Sequence, residues 1–177
     1  MSKKLGFIGA GNMAKAMMGG IIRNEIIPCE EIIASDAYAP SLEAARETLN
    51  IETTKNNLKV VEEAEVVVLA VKPQYYATVI NEIKDYVRES QIIVTIAPCQ
   101  TLERLNSLFE KPVKIVRTMP NTPALVCEGI TGVCHNELVT KDELDYVCKI
   151  LGGFGQVEVV GENLMDVVVS VSGSSPA

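Results

Sequence analysis

Hydrophobic positions along this chain switch repeatedly between short apolar runs and stretches with helical spacing. Leu5 to Ile8 is a short apolar run that ends in Gly9-Ala10-Gly11. From Asn12 to about Ile27, Met13, Ala16, Met17 and Gly20 fall at helical spacing, which predicts a first helix. Ile32 to Ala34 reads as a second strand stopped by Ser35-Asp36, and Pro40-Ser41 opens a helix over Leu42 to Leu49 with Ser41 as its N-cap. Val66 to Val71 is apolar and rich in β-branched residues without alternation, as expected of a central parallel strand covered on both faces. Tyr75 to Val87 and Leu102 to Phe109 read as helices, and Ile92 to Ala97 and Lys114 to Arg117 as strands.

Beyond Met119-Pro120-Asn121-Thr122-Pro123 the pattern continues with a strand over Ile130 to Cys134. Thr140-Lys141-Asp142-Glu143 then forms a capping box that starts a helix running to about Leu151. Gln156 to Val160 reads as another strand, and the stretch from Glu162 starts as a helix that runs into Ser172-Gly173-Ser174-Ser175-Pro176-Ala177. Alternation of this kind predicts an α/β fold of the Rossmann type: a doubly wound, mostly parallel sheet with helices on both faces. Residues 1–161 form the nucleotide-binding domain in this reading, and 162–177 the start of a linking helix.

Gly9-Ala10-Gly11-Asn12-Met13-Ala14 has the form G-x-G-x-x-A and sits between a predicted strand and a predicted helix. There Gly9 permits a tight turn, Gly11 lets the backbone approach a pyrophosphate, and Ala14 lets helix and strand pack closely. The helix N-terminus supplies N–H donors and the positive end of its dipole. The plainer alternative is a glycine-rich turn needed only for packing. Asp36, 22 residues after Ala14, stands where an acidic residue would accept the ribose 2′-hydroxyl of NAD, or where it would simply end a turn. No Arg or Lys occurs between Asp36 and Ala45 to meet a 2′-phosphate. Three further strand ends face the same crevice: Ala70 to Pro73, Ala97 to Gln100, and Thr118 to Asn121. Lys72 is either a phosphate or substrate contact or a solvated lysine, and the Met119 to Pro123 segment is either a site wall or a rigid turn.

Sixteen Lys and Arg against 23 Asp and Glu give a charge of −7 with no basic run, which argues against a binder that tracks nucleic-acid phosphates. The six-residue run Val66 to Val71 is far shorter than the roughly 18 residues of a membrane span. Met1 to Leu5 leads into a glycine turn and not into a signal-peptide core, so a cytoplasmic protein is expected. Five cysteines without CxxC spacing read as reduced, buried small residues. The lone His135 makes a zinc site improbable.

Taken in order, Gly6 to Met13, Ala70-Val71-Lys72-Pro73-Gln74, Arg117 to Pro123 with Gly129 to Gly132, and Ser172 to Ala177 resemble the pyrroline-5-carboxylate reductase family. The resemblance implies NADPH or NADH as cofactor, held by Ile8, Gly9, Ala10, Gly11, Asn12, Met13, Asp36, Asn57, Ala70, Val71, Lys72, Pro73, Ala97 and Pro98. It implies a small-molecule substrate, 1-pyrroline-5-carboxylate, reduced to L-proline and held by Asn121, Ser172, Gly173 and Ser174. It assigns no catalytic residue within this stretch. Two departures from the family are Pro98-Cys99-Gln100, where an Ala-Gly turn is usual, and Ser175, where a glycine is usual. The family continues past its Pro-Ala with a helical domain that makes a homo-oligomer and completes the pocket. A chain ending at Ala177 is therefore expected to bind nucleotide but to turn over substrate poorly. The alternatives are another reductase of the β-hydroxyacid dehydrogenase type and a non-catalytic dinucleotide-binding fragment.

Overall fold

The computed structural model describes residues 3–173. Its sheet has eight strands: β1 (Lys3–Ile8), β2 (Ile32–Ser35), β3 (Glu52–Thr54), β4 (Ala64–Leu69), β5 (Ile92–Thr95), β6 (Lys114–Met119), β7 (Gly129–His135) and β8 (Gly155–Val159). Their spatial order is β3-β2-β1-β4-β5-β6-β7-β8. Pairing is parallel except between β6 and β7, so the last two strands run against the other six. Strand order reverses between β1 and β4, which places a crevice at their carboxyl ends.

Among the described residues six helices connect strands, α1 (Asn12–Arg23), α2 (Ala39–Leu49), α3 (Asn57–Glu63), α4 (Tyr76–Ile83), α5 (Leu102–Phe109) and α6 (Lys141–Leu151), and α7 (Met165–Val168) follows β8. Successive side chains of a strand point to opposite faces, and the core divides accordingly. Leu5 and Phe7 pack with Met17, Ile21 and Phe154 on one face, and Ile8 packs with Val60, Ile80 and Met165 on the other. Gly6 allows α3 to lie close to β1; a Cβ there would come within 2.5 Å of Val60 Cγ1. Among the described residues no helix is long and apolar enough to cross a membrane.

The expected elements are present, with four differences. α1 stops at Arg23 because Glu25 takes a left-handed conformation (φ 54°), with Ile26 N–H donating to the Ile21 carbonyl and Glu25 N–H to that of Ile22. This is a Schellman ending made without glycine. α2 begins at Ala39 with Pro40 in its first turn, so Ser41 lies inside the helix and is not its cap. The strand β3 and the helix α3 were not expected: three half-buried residues carry no usable alternation, and α3 has only seven. The Tyr75 to Val87 stretch divides into a 3-10 turn at Pro73–Tyr75 and α4, which ends at Ile83. The Thr140 capping box forms, with the Thr140 hydroxyl accepting from Glu143 N–H and the Glu143 carboxylate accepting from Thr140 N–H. All five cysteines are free thiols, but only Cys134 is buried as expected; Cys29, Cys127 and Cys148 are half-buried and Cys99 is exposed.

Candidate functional site

At the carboxyl end of β1 the backbone turns on Gly9, whose φ of 106° excludes most side chains. Gly9 N–H donates to the Ser35 carbonyl at 2.7 Å, and Ala70 N–H donates to the Ile8 carbonyl at 2.8 Å. A Cβ on Gly9 would lie 2.6 Å from the Ala70 carbonyl oxygen, so this glycine joins the turn to the loop after β4. Gly11 is different. It is exposed, and a Cβ built on it meets nothing within 4 Å. Gly11 is also the N-cap of α1, and no side chain caps that helix. The N–H groups of its first turn therefore face open space, with the dipole's positive end behind them. Asn12 is exposed there and Met13 packs against the core. The space that a Gly11 side chain would fill fits a pyrophosphate.

Asp36 sits just past β2 with both carboxylate oxygens engaged: Oδ2 accepts from Ala10 N–H and Oδ1 from Tyr38 N–H, each at 2.8 Å. The residue thus fastens the glycine turn while standing at the position expected for a ribose contact. Asn57, at the start of α3, accepts from the Ser35 hydroxyl at 2.7 Å and donates to Glu82 at 2.9 Å. Beside this edge, α2 and the end of β3 line a cavity of about 330 Å³ with Ala39, Glu43, Arg46, Thr54 and Lys55 on its wall. Neither Arg46 nor Lys55 is in an ion pair among the described residues. The cavity thus carries two cations and one carboxylate, Glu43.

Across the switch point, Ala70 and Val71 leave β4 and run into exposed Lys72 and Pro73. Lys72 has no ion pair among the described residues. Ala97 is buried after β5, Pro98 is half-buried, and Cys99 turns the chain at φ 61°. Gln100 is buried, and its Oε1 has no hydrogen-bond partner. Beneath these loops Tyr76 is fully buried, with its hydroxyl donating to the Leu69 carbonyl and bonding Thr95 Oγ1, each at 2.7 Å. Burial pushes the Tyr76 phenol up to about 12, so it stays protonated.

Asn121 follows β6, buried, and its Oδ1 accepts from Ile130 N–H at 2.9 Å. The chain returns over this end through α7 and the π-helical turn Val169–Gly173. Its entry is held by Arg117, which is 3% exposed and pairs with Glu162 at 3.0 Å and Asp166 at 3.5 Å. Glu162 also accepts from Leu102 N–H at the start of α5, at 2.7 Å. Its exit brings Gly173 against Met119, where a Cβ would lie 2.9 Å from Met119 Cε. Ser172 has a buried hydroxyl without a partner among the described residues, and Ser174 lies outside them. The buried Cys134 thiol near this ion pair is pushed up to about 11, chiefly by burial and then by Glu162, and is inert.

Residues 4–98, more than half of the chain, match the family described as NADP oxidoreductase, coenzyme F420-dependent. The chain belongs to that family. A pyrroline-5-carboxylate reductase of Escherichia coli K12 is 39% identical over 181 residues, covering all of this chain and 66% of the relative. The structure of such a reductase from Coxiella burnetii superposes with a TM-score of 0.94 at 33% identity, covering 99% of this chain and 66% of that one. A Plasmodium falciparum pyrroline carboxylate reductase solved with NADP bound gives 0.89 at 30% identity, covering 98% and 63%. The chain thus spans just under two thirds of the length of these relatives, and the likeness read from its motifs extends along its whole length.

Within this NADP oxidoreductase fold the nucleotide-side candidates, Ile8 to Met13, Asp36, Asn57, Ala70 to Pro73, Ala97 and Pro98, all fall on one sheet edge. Asn121 and Gly173 lie at the neighbouring end of β6, whereas Ser172 lines a cleft with Ile130, Gly132 and Val160. Arg46 and Lys55 lie outside the turn after β2, where a cation for a 2′-phosphate is expected. They come from α2 and from beyond β3, and the only available signal was a pair of cations flanking Thr53-Thr54.

Proposed function

We propose that the chain binds NADPH or NADH along the crevice and contributes the nucleotide half of a pyrroline-5-carboxylate reductase. The observation that carries this reading is the 39% identity to the E. coli enzyme across all of the chain, including the part beyond the nucleotide-binding turn. The open space at Gly11 supports the pyrophosphate position, and Arg46 and Lys55 support use of the 2′-phosphorylated cofactor.

When bound, the dihydronicotinamide supplies a hydride to the C=N carbon of 1-pyrroline-5-carboxylate. A proton on the ring nitrogen completes the reduction to L-proline and leaves the oxidised nicotinamide. The chain's own part is positioning. The first turn of α1 and Gly11 hold the pyrophosphate, Asp36 and Asn57 set the adenosine edge, and the loops after β4 and β5 wall the nicotinamide half. Asn121, Ser172, Gly173 and Ser174 are the proposed contacts to the substrate. Residues 1–161 are proposed as the nucleotide-binding domain, with 162–177 leading towards the surface that completes the pocket. A cytoplasmic location and a homo-oligomeric whole protein belong to the same proposal.

The test is to titrate the chain with NADPH and NADH by calorimetry. NADPH oxidation is then assayed with 1-pyrroline-5-carboxylate and with 3-hydroxy acids in the reverse direction. A chimera carrying the carboxyl-terminal third of the E. coli relative is assayed beside it. Cofactor binding by the chain, with pyrroline-5-carboxylate turned over well only by the chimera, is the expected result. Turnover of 3-hydroxy acids, or no cofactor binding, overturns the proposal.

A further inference from the structure

We propose that the Tyr76 and Thr95 hydroxyls are a positioning pair, which sets the spacing of loops 70–73 and 97–100 around the nicotinamide half of the cofactor. The inference rests on the dinucleotide reading above. With the adenosine half at the β2 edge near Asp36, the rest of the cofactor crosses the switch point towards β4 and β5.

The chemistry of the donors orders the bonds. The Leu69 carbonyl only accepts, so the single Tyr76 proton goes to it at 2.7 Å. Thr95 Oγ1 therefore donates to Tyr76 Oη at 2.7 Å, and accepts in turn from Ala97 N–H at 3.4 Å. Thr118 Oγ1 donates to the Thr95 carbonyl at 2.9 Å and extends the chain to β6. The result links the last residue of β4 to the first residues of the β5 loop through two side chains that are both fully buried. The surrounding cluster, with Leu69, Val79 and Ile80, is apolar and needs no hydroxyl for packing. Every polar atom in this chain of bonds has a partner, and such a network fixes geometry more firmly than apolar contact alone. Neither hydroxyl reaches the cofactor. Both act through the backbone of the loops that do.

The discriminating experiment uses two probes on this chain: NADPH, and 2′-phosphoadenosine 5′-diphosphoribose, which lacks only the nicotinamide. Tyr76→Phe keeps the ring and removes the hydroxyl; Thr95→Val does the same for its partner; Thr95→Ser keeps the hydroxyl. Tyr76→Phe and Thr95→Val should each weaken NADPH about five- to tenfold, the loss of one well-made hydrogen bond. Affinity for the nicotinamide-free probe should stay within about twofold, and Thr95→Ser should match the wild type on both probes. Equal losses on both probes would show a structural role only, and unchanged NADPH affinity would show no role; either overturns the inference. A wild-type chain that binds the nicotinamide-free probe but not NADPH also removes it, while leaving nucleotide binding intact. Binding of neither probe removes the dinucleotide reading itself. If Tyr76→Phe fails to fold, the comparison of Thr95→Val with Thr95→Ser decides alone.

Discussion

The two halves of the crevice are built differently. On the side of β1 and β2, the polar groups that hold the turn are tied to one another, and the first-turn N–H groups of α1 are left uncapped. Gly9 N–H is bonded to Ser35, Ala10 N–H to Asp36, and Asn57 to Ser35 and Glu82. On the side of β5, β6 and the returning α7, buried polar atoms stand without partners among the described residues, Gln100 Oε1 and Ser172 Oγ being two of them. Burying a polar atom without a partner costs about 1–3 kcal/mol, so a fold keeps such atoms where something else meets them. The nucleotide half is held by bonds within itself, and in the substrate half these atoms have no partner among the described residues.

The sharpest way to break this contrast is through the two glycines of the turn. Gly9 combines φ 106° with a backbone 2.6 Å from its would-be Cβ, and neither can relax without moving β4. Gly9→Val should lower stability by about 3 kcal/mol or more, read as a large fall in Tm or loss of soluble protein. Gly11→Val meets no protein atom, so the thermal transition should stay close to the wild type. Its NADPH affinity should nevertheless fall by about a hundredfold or more, because the side chain takes the phosphate's place. If Gly11→Val unfolds the chain, or binds NADPH normally, the turn is a packing device and not a phosphate site.

On the other half, the firmest tie is the ion pair that seats α7. Glu162→Gln leaves the Arg117 guanidinium, 3% exposed, with only the solvent-facing Asp166 at 3.5 Å. A loss of about 2 kcal/mol is expected, less than for a fully enclosed pair because Glu162 is about one-third exposed. Hydrogen exchange of residues 165–173 should quicken, whereas the amides of β1 and α1 should be unaffected. Exchange that rises equally in both halves would show that the two are one cooperative unit.

How much of this was readable in advance follows the same division. The glycine turn and the Thr140 capping box are local patterns that lie where the sequence places them, and the central strand expected at Val66 to Val71 runs two residues earlier, from Ala64 to Leu69. Leu102–Phe109 matches to the residue because Thr101 caps it and Glu110 ends it in a left-handed turn. β3 and α3 were missed because an edge strand of three residues has too few positions to show a period. Glu25 ends α1 where glycine would have been the visible signal. The Tyr76–Thr95 bond spans 19 positions and two elements, and nothing in either local sequence announces it. Asp36 shows the limit most plainly. Its position was legible, but its bond to Ala10 N–H depends on the packing of β1 against β2.

That bond changes what cofactor preference should reveal. Asp36→Ser should weaken NADH and NADPH together by a few-fold through the loosened turn, and shift their ratio towards NADPH as a negative charge leaves the ribose edge. Arg46→Gln with Lys55→Gln should move the ratio the other way by about fivefold, the worth of a screened surface contact to a phosphate. The NADPH advantage should also shrink as salt rises. A ratio indifferent to all three substitutions would place the 2′-position elsewhere.

The smallest expected effect lies at the foot of the nucleotide half, where Glu52 of β3 bonds Lys3 of β1 at 2.8 Å and Lys59 of α3 at 2.7 Å. The hydrogen bond from Lys3, then that from Lys59, lowers the Glu52 carboxyl from its ordinary 4.5 to about 2. A carboxyl whose folded value is depressed contributes stability that is fully present above its unfolded value and is lost as pH falls towards the folded one. The window therefore runs from about pH 5 down to about pH 2. Glu52 is 37% exposed and solvent screens both pairs, so the contribution is about 1 kcal/mol or less. Glu52→Gln should lower stability slightly at pH 7 and flatten the fall between pH 5 and pH 2. Urea midpoints for the two proteins should converge as the pH approaches 2, where the wild-type carboxyl is also becoming neutral. A difference between the two proteins that is constant from pH 7 to pH 2 would mean that the paired lysines do nothing for this carboxylate. The edge strand would then be held by its backbone ladder to β2 alone.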